Sequence, residues 1–163
     1  MILNYNNAID NSFRISIVDI PQLDLYAQST SVPTSTLNAI EINWQDVRSK
    51  VPDNKYLWDD LVITFVMDED LYVYELLRDW HKDIRNLEKW QDGLHDINVI
   101  PLSSSKSIEY SIKMTGAWPT MISGWQYTTT NSASTYITFD VAFAYQDLTI
   151  DRLRPLDFRI VKP

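Results

Sequence analysis

The stretch Leu61–Arg85, LVITFVMDEDLYVYELLRDWHKDIR, changes its hydrophobic period midway. Leu61, Ile63, Phe65 and Met67 alternate with Val62, Thr64 and Val66, the two-residue period of a strand buried on both faces. Asp68, Glu69 and Asp70 interrupt the pattern. Val73, Leu76, Leu77, Trp80 and Ile84 then recur at helical spacing. An apolar strand therefore passes through an acidic corner into an amphipathic helix over about 68–86. Asp68 suits the N-cap, Glu69 and Asp70 the positive end of the dipole, and Lys82 and Arg85 the negative end. No other segment reads as a convincing helix, so the chain is expected to be mainly β with one helix packed on it.

The remaining pattern is one of strands. Phe13–Ile20 alternates Phe13, Ile15 and Ile17 with Arg14 and Ser16, and Pro21 ends it. Leu23–Gln28 reads as a second strand, Ser29–Thr36 as a loop and Leu37–Trp44 as a third strand with Ile40, Ile42 and Trp44 on one face. Gln45–Tyr56 is polar, with a turn signal at Pro52-Asp53-Asn54, and reads as a long loop or a protruding hairpin tip. The core strand is read over Leu57–Met67, and Asn86–Pro101 as irregular, with a helical turn around Leu87 and Trp90. Ser107–Met114 is a half-buried strand, Gly116 and Pro119 bracket a bend at Trp118, and Trp125–Thr129 is a short strand. Thr130–Ser134 is a turn, and Tyr136–Tyr145 is the cleanest strand of the chain. About seven strands, antiparallel by loop length, imply an antiparallel β-sandwich or small barrel.

Composition narrows the function. With 163 residues, 45% of them hydrophobic, the chain has the length of one domain and can bury a core. It has no cysteine, which excludes disulfides and thiolate metal sites. The three glycines are scattered, so no phosphate-cradling loop exists. No apolar run is long enough for a membrane helix, and the first residues lack the pattern of a secretion signal, so cytoplasmic synthesis is expected. The net charge is −8; residues 1–70 carry 11 acids against 4 bases, and residues 101–163 carry 5 acids against 6 bases. Such a surface would not wrap nucleic acid, but it would let a phosphate backbone slide past.

Site chemistry is sparse. His81 and His95 are the only histidines. His81 has Asp79 and Asp83 two residues away, a spacing that points them elsewhere on a helix, so no metal site is expected. The Asp59-Asp60 pair and the Asp68–Asp70 cluster lack calcium-loop spacing, and capping accounts for the second. No nucleophile elbow is present. We expect no catalytic, cofactor-binding or metal residues; a hydrolase built on Asp59 and Asp60 is the weaker alternative. The six tryptophans raise another reading, a carbohydrate-binding sandwich that stacks sugars on Trp118 or Trp125, against the ordinary use of large aromatics in cores and interfaces.

Three segments taken together resemble the tail-tube proteins of T4-like contractile phages. They are LYAQSTSVPTSTLNAIEINW (Leu25–Trp44), DDLVITFVMDEDLYVYELLRDW (Asp59–Trp80) and MTGAWPTMISGWQYTTTNSASTYITFDVAFAY (Met114–Tyr145). The last contains a Gly-x-Trp-Pro-Thr bend and a Thr-Phe-x-Val strand ending in an aromatic. The resemblance implies a β-barrel-like subunit that forms hexameric rings, stacked into the inner tail tube through which DNA passes without specific binding. It places the protein in the virion tail, assembled in the host cytoplasm beside tube, sheath, neck or baseplate proteins, with no membrane partner. It also implies a tube-type domain over 1–145 and an adaptor tail over 146–163. Arg48, Lys50, Asp53 and Lys55, with Arg152, Arg154 and Arg159, are the candidate contacts between subunits or rings. The tail beyond residue 145 departs from the tube proteins, and Asp59–Met67 is similar to tube-end relatives. A single-ring protein at a tube end, such as a completion protein or a baseplate initiator, is therefore the alternative within the family.

Overall fold

The computed structural model describes residues 12–44, 47–102, 108–127 and 136–152. Strand β5 (Leu61–Val66) and helix α1 (Tyr72–Asn86) are the pair read from the change of period. Leu61, Ile63 and Phe65 are fully buried, and Val73, Leu77 and Trp80 face the same core, with Leu76 and Ile84 packed against it. The helix begins four residues later than expected. Leu71 occupies the N-cap position in a left-handed conformation (φ 57°), yet Asp68 still does the capping. Its carboxylate accepts the Tyr72 and Val73 N–H groups at 3.1 and 3.3 Å, which satisfies two of the donors that a helix start leaves open.

Around this pair runs a seven-stranded antiparallel sheet. It contains β1 (Phe13–Ile17), β2 (Ala27–Thr30), β5, β6 (His95–Pro101), β7 (Tyr110–Ile122), β8 (Thr138–Ala144) and β9 (Asp147–Arg152). Neighbours follow the order β1-β6-β7-β8-β5-β2, and β9 also pairs with β7. The long strand β7 is shared by two half-sheets. Its first part lies between β6 and β9, and its end from Trp118 pairs with β8. The change of partner occurs at Gly116, whose φ of +60° suits glycine; a Cβ there would lie 2.7 Å from the Gln146 side chain. The Gly116 N–H donates to the Asp96 carboxylate at 3.0 Å, and Lys113 Nζ lies 2.9 Å from the same group. These two contacts hold the Asp96 carboxyl below its ordinary range. A single apolar cluster joins β1, β6 and β7 with β5, β8 and α1. The fold is thus mainly β with one α-helix, but among the described residues the sheet ends at β1 and β2 and does not close into a barrel.

Several local readings change. Pro21–Leu25 is a 3-10 turn rather than the start of a strand. Leu23 enters the core, Leu25 stays in solvent, and Asp24 accepts the Ile17 N–H at 3.2 Å. The segment read as irregular before Pro101 contains the whole of β6, in which only Ile97 and Val99 are buried. The expected bend at Trp118 lies inside β7. Pro119 is tolerated there because a bulge follows it, between Pro119 and Met121. Trp125–Tyr127 forms no strand, while 128–129 and the turn at 130–134 fall outside the described residues. Beyond residue 145, Asp147–Arg152 is β9 in the sheet, and residues 153–163 lie outside the description.

Candidate functional site

Strands β3 (Ser35–Trp44) and β4 (Val47–Trp58) form a two-stranded sheet of their own, apart from the seven-stranded one. The register runs from Ser35 opposite Trp58 to Trp44 opposite Val47, with a bulge between Leu37 and Ala39. The polar stretch read as a long loop or hairpin tip is therefore mostly strand, and Leu57 and Trp58 belong to this arm rather than to the core strand. Asp59 and Asp60 separate the two.

A two-stranded ribbon is marginal in water unless it packs on something. Among the described residues, its hydrogen bonds to the rest of the fold lie at its root. Asp59 N–H donates to Thr34 O at 3.0 Å, Tyr145 O–H donates to Asp59 O at 3.0 Å, and Thr120 Oγ1 donates to the Asp60 carboxylate at 3.1 Å. Partial burial, with Asp60 and Asp59 close by, pushes the Tyr145 phenol up to about 12, so it stays a donor across the neutral range. The aspartates raised as catalytic candidates are thus used at the base of the arm. Tyr56 and Trp58 pack edge to face at 4.7 Å. Further out, Leu37, Ile40, Ile42 and Leu57 are 54, 50, 42 and 50% exposed, although every second residue of a strand could have been polar. Ile40 and Ile42 share one face of β3. An arm that keeps apolar side chains in water on one monomer is suited to a second surface.

Arg48, Lys50, Asp53 and Lys55 all lie on β4, so the structure gathers four of the seven candidate contact residues on this arm. Lys50 pairs with Glu41 across the ribbon at 3.8 Å, an exposed pair of little energetic weight. The Asp53 carboxylate accepts the Asn54 N–H at 2.7 Å. Arg152 ends β9, opposite Tyr110, and is not on the arm. Arg154 and Arg159 lie outside the described residues. The exposed apolar residues were the stronger indication; their face was legible as a strand, but its lack of cover was not.

The other candidates have structural roles. Trp80 donates its indole N–H to Gly93 O at 2.8 Å and lies against Phe143 and His95. Half-buried Trp125 packs edge-on against Tyr74 at 4.8 Å, and Trp118 is half-buried in β7. Among the described residues no group of three or more metal-ligating side chains comes together.

The chain's sequence matches the phage tail tube protein family over residues 3–100. No curated protein matches it at a significant level. Among solved structures, it is similar to a chain of the anti-feeding prophage baseplate, 6-fold symmetrised, with a TM-score of 0.70 and 12% identity over 92% of this chain and 99% of that one. A chain of the anti-feeding prophage tube-terminating cap gives 0.70 and 14% over 93% and 95%. A chain of the sheath-tube complex of PVC, an extracellular contractile injection system, gives 0.64 and 14% over 92% and 95%. At these identities the structures establish a common fold, while the sequence match spans more than half of the chain. The chain belongs to the phage tail tube protein family, and it is a structural protein of the tail-tube type rather than an enzyme.

Proposed function

We propose that this protein forms a hexameric ring of the inner tube of a contractile tail, with the β3–β4 arm making the contacts between neighbouring subunits or rings. The observation that carries the reading is the arm itself: a ribbon that, among the described residues, is hydrogen-bonded to the rest of the fold at its root, with Leu37, Ile40, Ile42 and Leu57 half in water. A ring brings a second copy to that face six times over, by one repeated contact. Arg48, Lys50, Asp53 and Lys55 supply a charged rim on β4, with Arg152 and residues 154 and 159 reaching a further neighbour. The 6-fold symmetry of the similar baseplate assembly supports the ring number. A net charge of −8 suits a lumen through which DNA passes without being gripped. The location that follows is the virion tail, after assembly in the host cytoplasm among tube, sheath and baseplate or neck proteins.

A single ring at a tube end is the second reading. It is supported by the likeness in fold to a chain of the tube-terminating cap, at a TM-score of 0.70. Negative-stain microscopy of the purified chain separates the two. Long tubes indicate the repeating subunit and isolated six-fold rings the end protein. Particles that remain monomeric at high concentration, alone and with neighbouring tail proteins, would overturn both.

A further inference from the structure

Helix α1, the 3-10 turn Trp90–Gly93 and the start of β6 enclose an open cleft of about 390 Å³. Leu76, Trp80 and Leu87 supply apolar walls, and Asp79, Asp83 and Asp92 stand at its rim. On the helical wheel Arg78 and Arg85 fall on the opposite side from this face. Asp79 is shared with Lys82 at 3.6 Å, whereas among the described residues no cation pairs with Asp83 or Asp92. A cleft with apolar walls and two aspartates, Asp83 and Asp92, that meet no cation among the described residues fits an extended segment that alternates aliphatic and basic residues. The chain carries one such segment, RLRPLDFRIVK (Arg152–Lys162), in which four bases stand against Asp157 alone, with Leu153, Leu156, Phe158 and Ile160 between them.

We propose that the segment 153–162 of one subunit docks in the α1 cleft of a second copy, with Leu156 and Phe158 against the apolar walls and Arg154 and Arg159 on the acidic rim. The direction of β9 selects the second copy over the same chain. His95, at the cleft, pairs with Ala117, while Arg152 pairs with Tyr110 at the other end of the same stretch of β7. The seven steps from Tyr110 to Ala117 span roughly 23 Å at about 3.3 Å each, and β9 runs away from the cleft. Returning along its own sheet would use about seven residues at 3.3–3.6 Å each, so Leu156 and Phe158 would fall short of their own cleft. A neighbour meets the segment in the direction it already travels.

This inference rests on the ring reading, since an assembly holds the second cleft within reach. The absence of native cysteine allows a clean disulfide test. Full-length Leu156→Cys and full-length Asn86→Cys are mixed under assembly conditions and oxidised, with Arg78→Cys, on the side of α1 opposite the cleft, replacing Asn86→Cys as control. A disulfide-linked dimer from the Leu156→Cys and Asn86→Cys pair, at least severalfold above control and reduced by Asp83→Lys with Asp92→Lys, supports the docking. Rings on the grid with no excess of linked dimer overturn the docking and leave the ring reading intact. A disulfide formed within single chains of the doubly substituted protein, with none between chains, overturns it in favour of self-docking. Neither rings nor linked dimer overturns both.

Discussion

Replacing Ile40 and Ile42 together by threonine separates assembly from folding. Threonine keeps the β-branched shape that strands favour, so the ribbon is preserved, and both positions lie outside the core cluster. Full burial of an isoleucine side chain is worth about 1.5–3 kcal/mol. The two residues are 50 and 42% exposed in the isolated chain, so about half of that remains to be gained when a neighbour covers them. The pair then contributes roughly 1.5–3 kcal/mol to each contact. At 1.4 kcal/mol per factor of ten, association between subunits should weaken by about 10- to 150-fold. Sedimentation velocity over a concentration series reads the association, and urea unfolding followed by tryptophan fluorescence reads the fold. The double variant should unfold within about 1 kcal/mol of the parent chain while assembling only at higher concentration. Unchanged association with an intact fold would show that the arm's apolar face is not an interface. A urea midpoint that falls in step with assembly would show that the residues act through folding instead.

Three further outcomes follow from the local chemistry. Asp68→Ala removes the acceptor for the Tyr72 and Val73 N–H groups and should cost about 0.5–2 kcal/mol in urea unfolding, with Asp70→Ala closer to neutral. Tyr145→Phe removes the bond to Asp59 O, for about 0.5–1.5 kcal/mol at pH 7. Because the folded chain holds the phenolic proton up to about 12 against an ordinary 10, that group's stabilisation is whole below pH 10 and is lost as pH rises towards 12; alkaline denaturation of the variant should lack this component. Asp96 is shifted the other way. Its stabilisation is present above the ordinary carboxylate value of 3.8 and is lost as pH falls below it. Asp96→Asn should therefore melt below the parent chain at pH 7, and the gap should narrow as the pH falls below 3.8.

The elements most legible in the sequence were those whose side chains all answer to one neighbour. Strand β8 alternates cleanly because Phe139, Val141 and Phe143 face a single core, and α1 shows its period for the same reason. Strand β6 was missed because its two buried residues, Ile97 and Val99, sit among polar His95, Asp96 and Asn98, of which His95 and Asp96 are used in contacts that periodicity does not register, to Asp19 and to Gly116. The 3-10 turn at Pro21–Leu25 imitated a strand because Leu23 and Leu25 are two apart, though only Leu23 is covered. The arm was half-read. Its first strand was visible in Leu37–Trp44, but its return strand carries a proline and four charged residues, which are strand-compatible only where one ribbon stands in water. The roles of Asp59 and Asp60 could not be assigned from sequence, since Tyr145, which meets the Asp59 backbone carbonyl, and Thr120, which meets the Asp60 carboxylate, lie 60 or more residues away.

The shared strand β7 also orders how the chain can fold during synthesis. Strand β5 leaves the ribosome with β2 as a neighbour but must wait some 80 residues for β8, the partner of its other edge, which pairs Leu61 with Phe143. Strand β6 pairs with the earlier β1, then waits for β7. A nascent chain ending near residue 100 would cover the stretch on which family membership rests, yet besides the β3–β4 arm it would hold two separate strand pairs of the large sheet, with apolar edges open to other chains. Only the arrival of β7 and β8 joins them. The last third of the chain is therefore what makes the first two thirds a folded unit, and folding should be slow, dominated by contacts distant in sequence. Where many copies are made side by side, that delay leaves an interval in which chains must be kept apart before they are allowed to assemble.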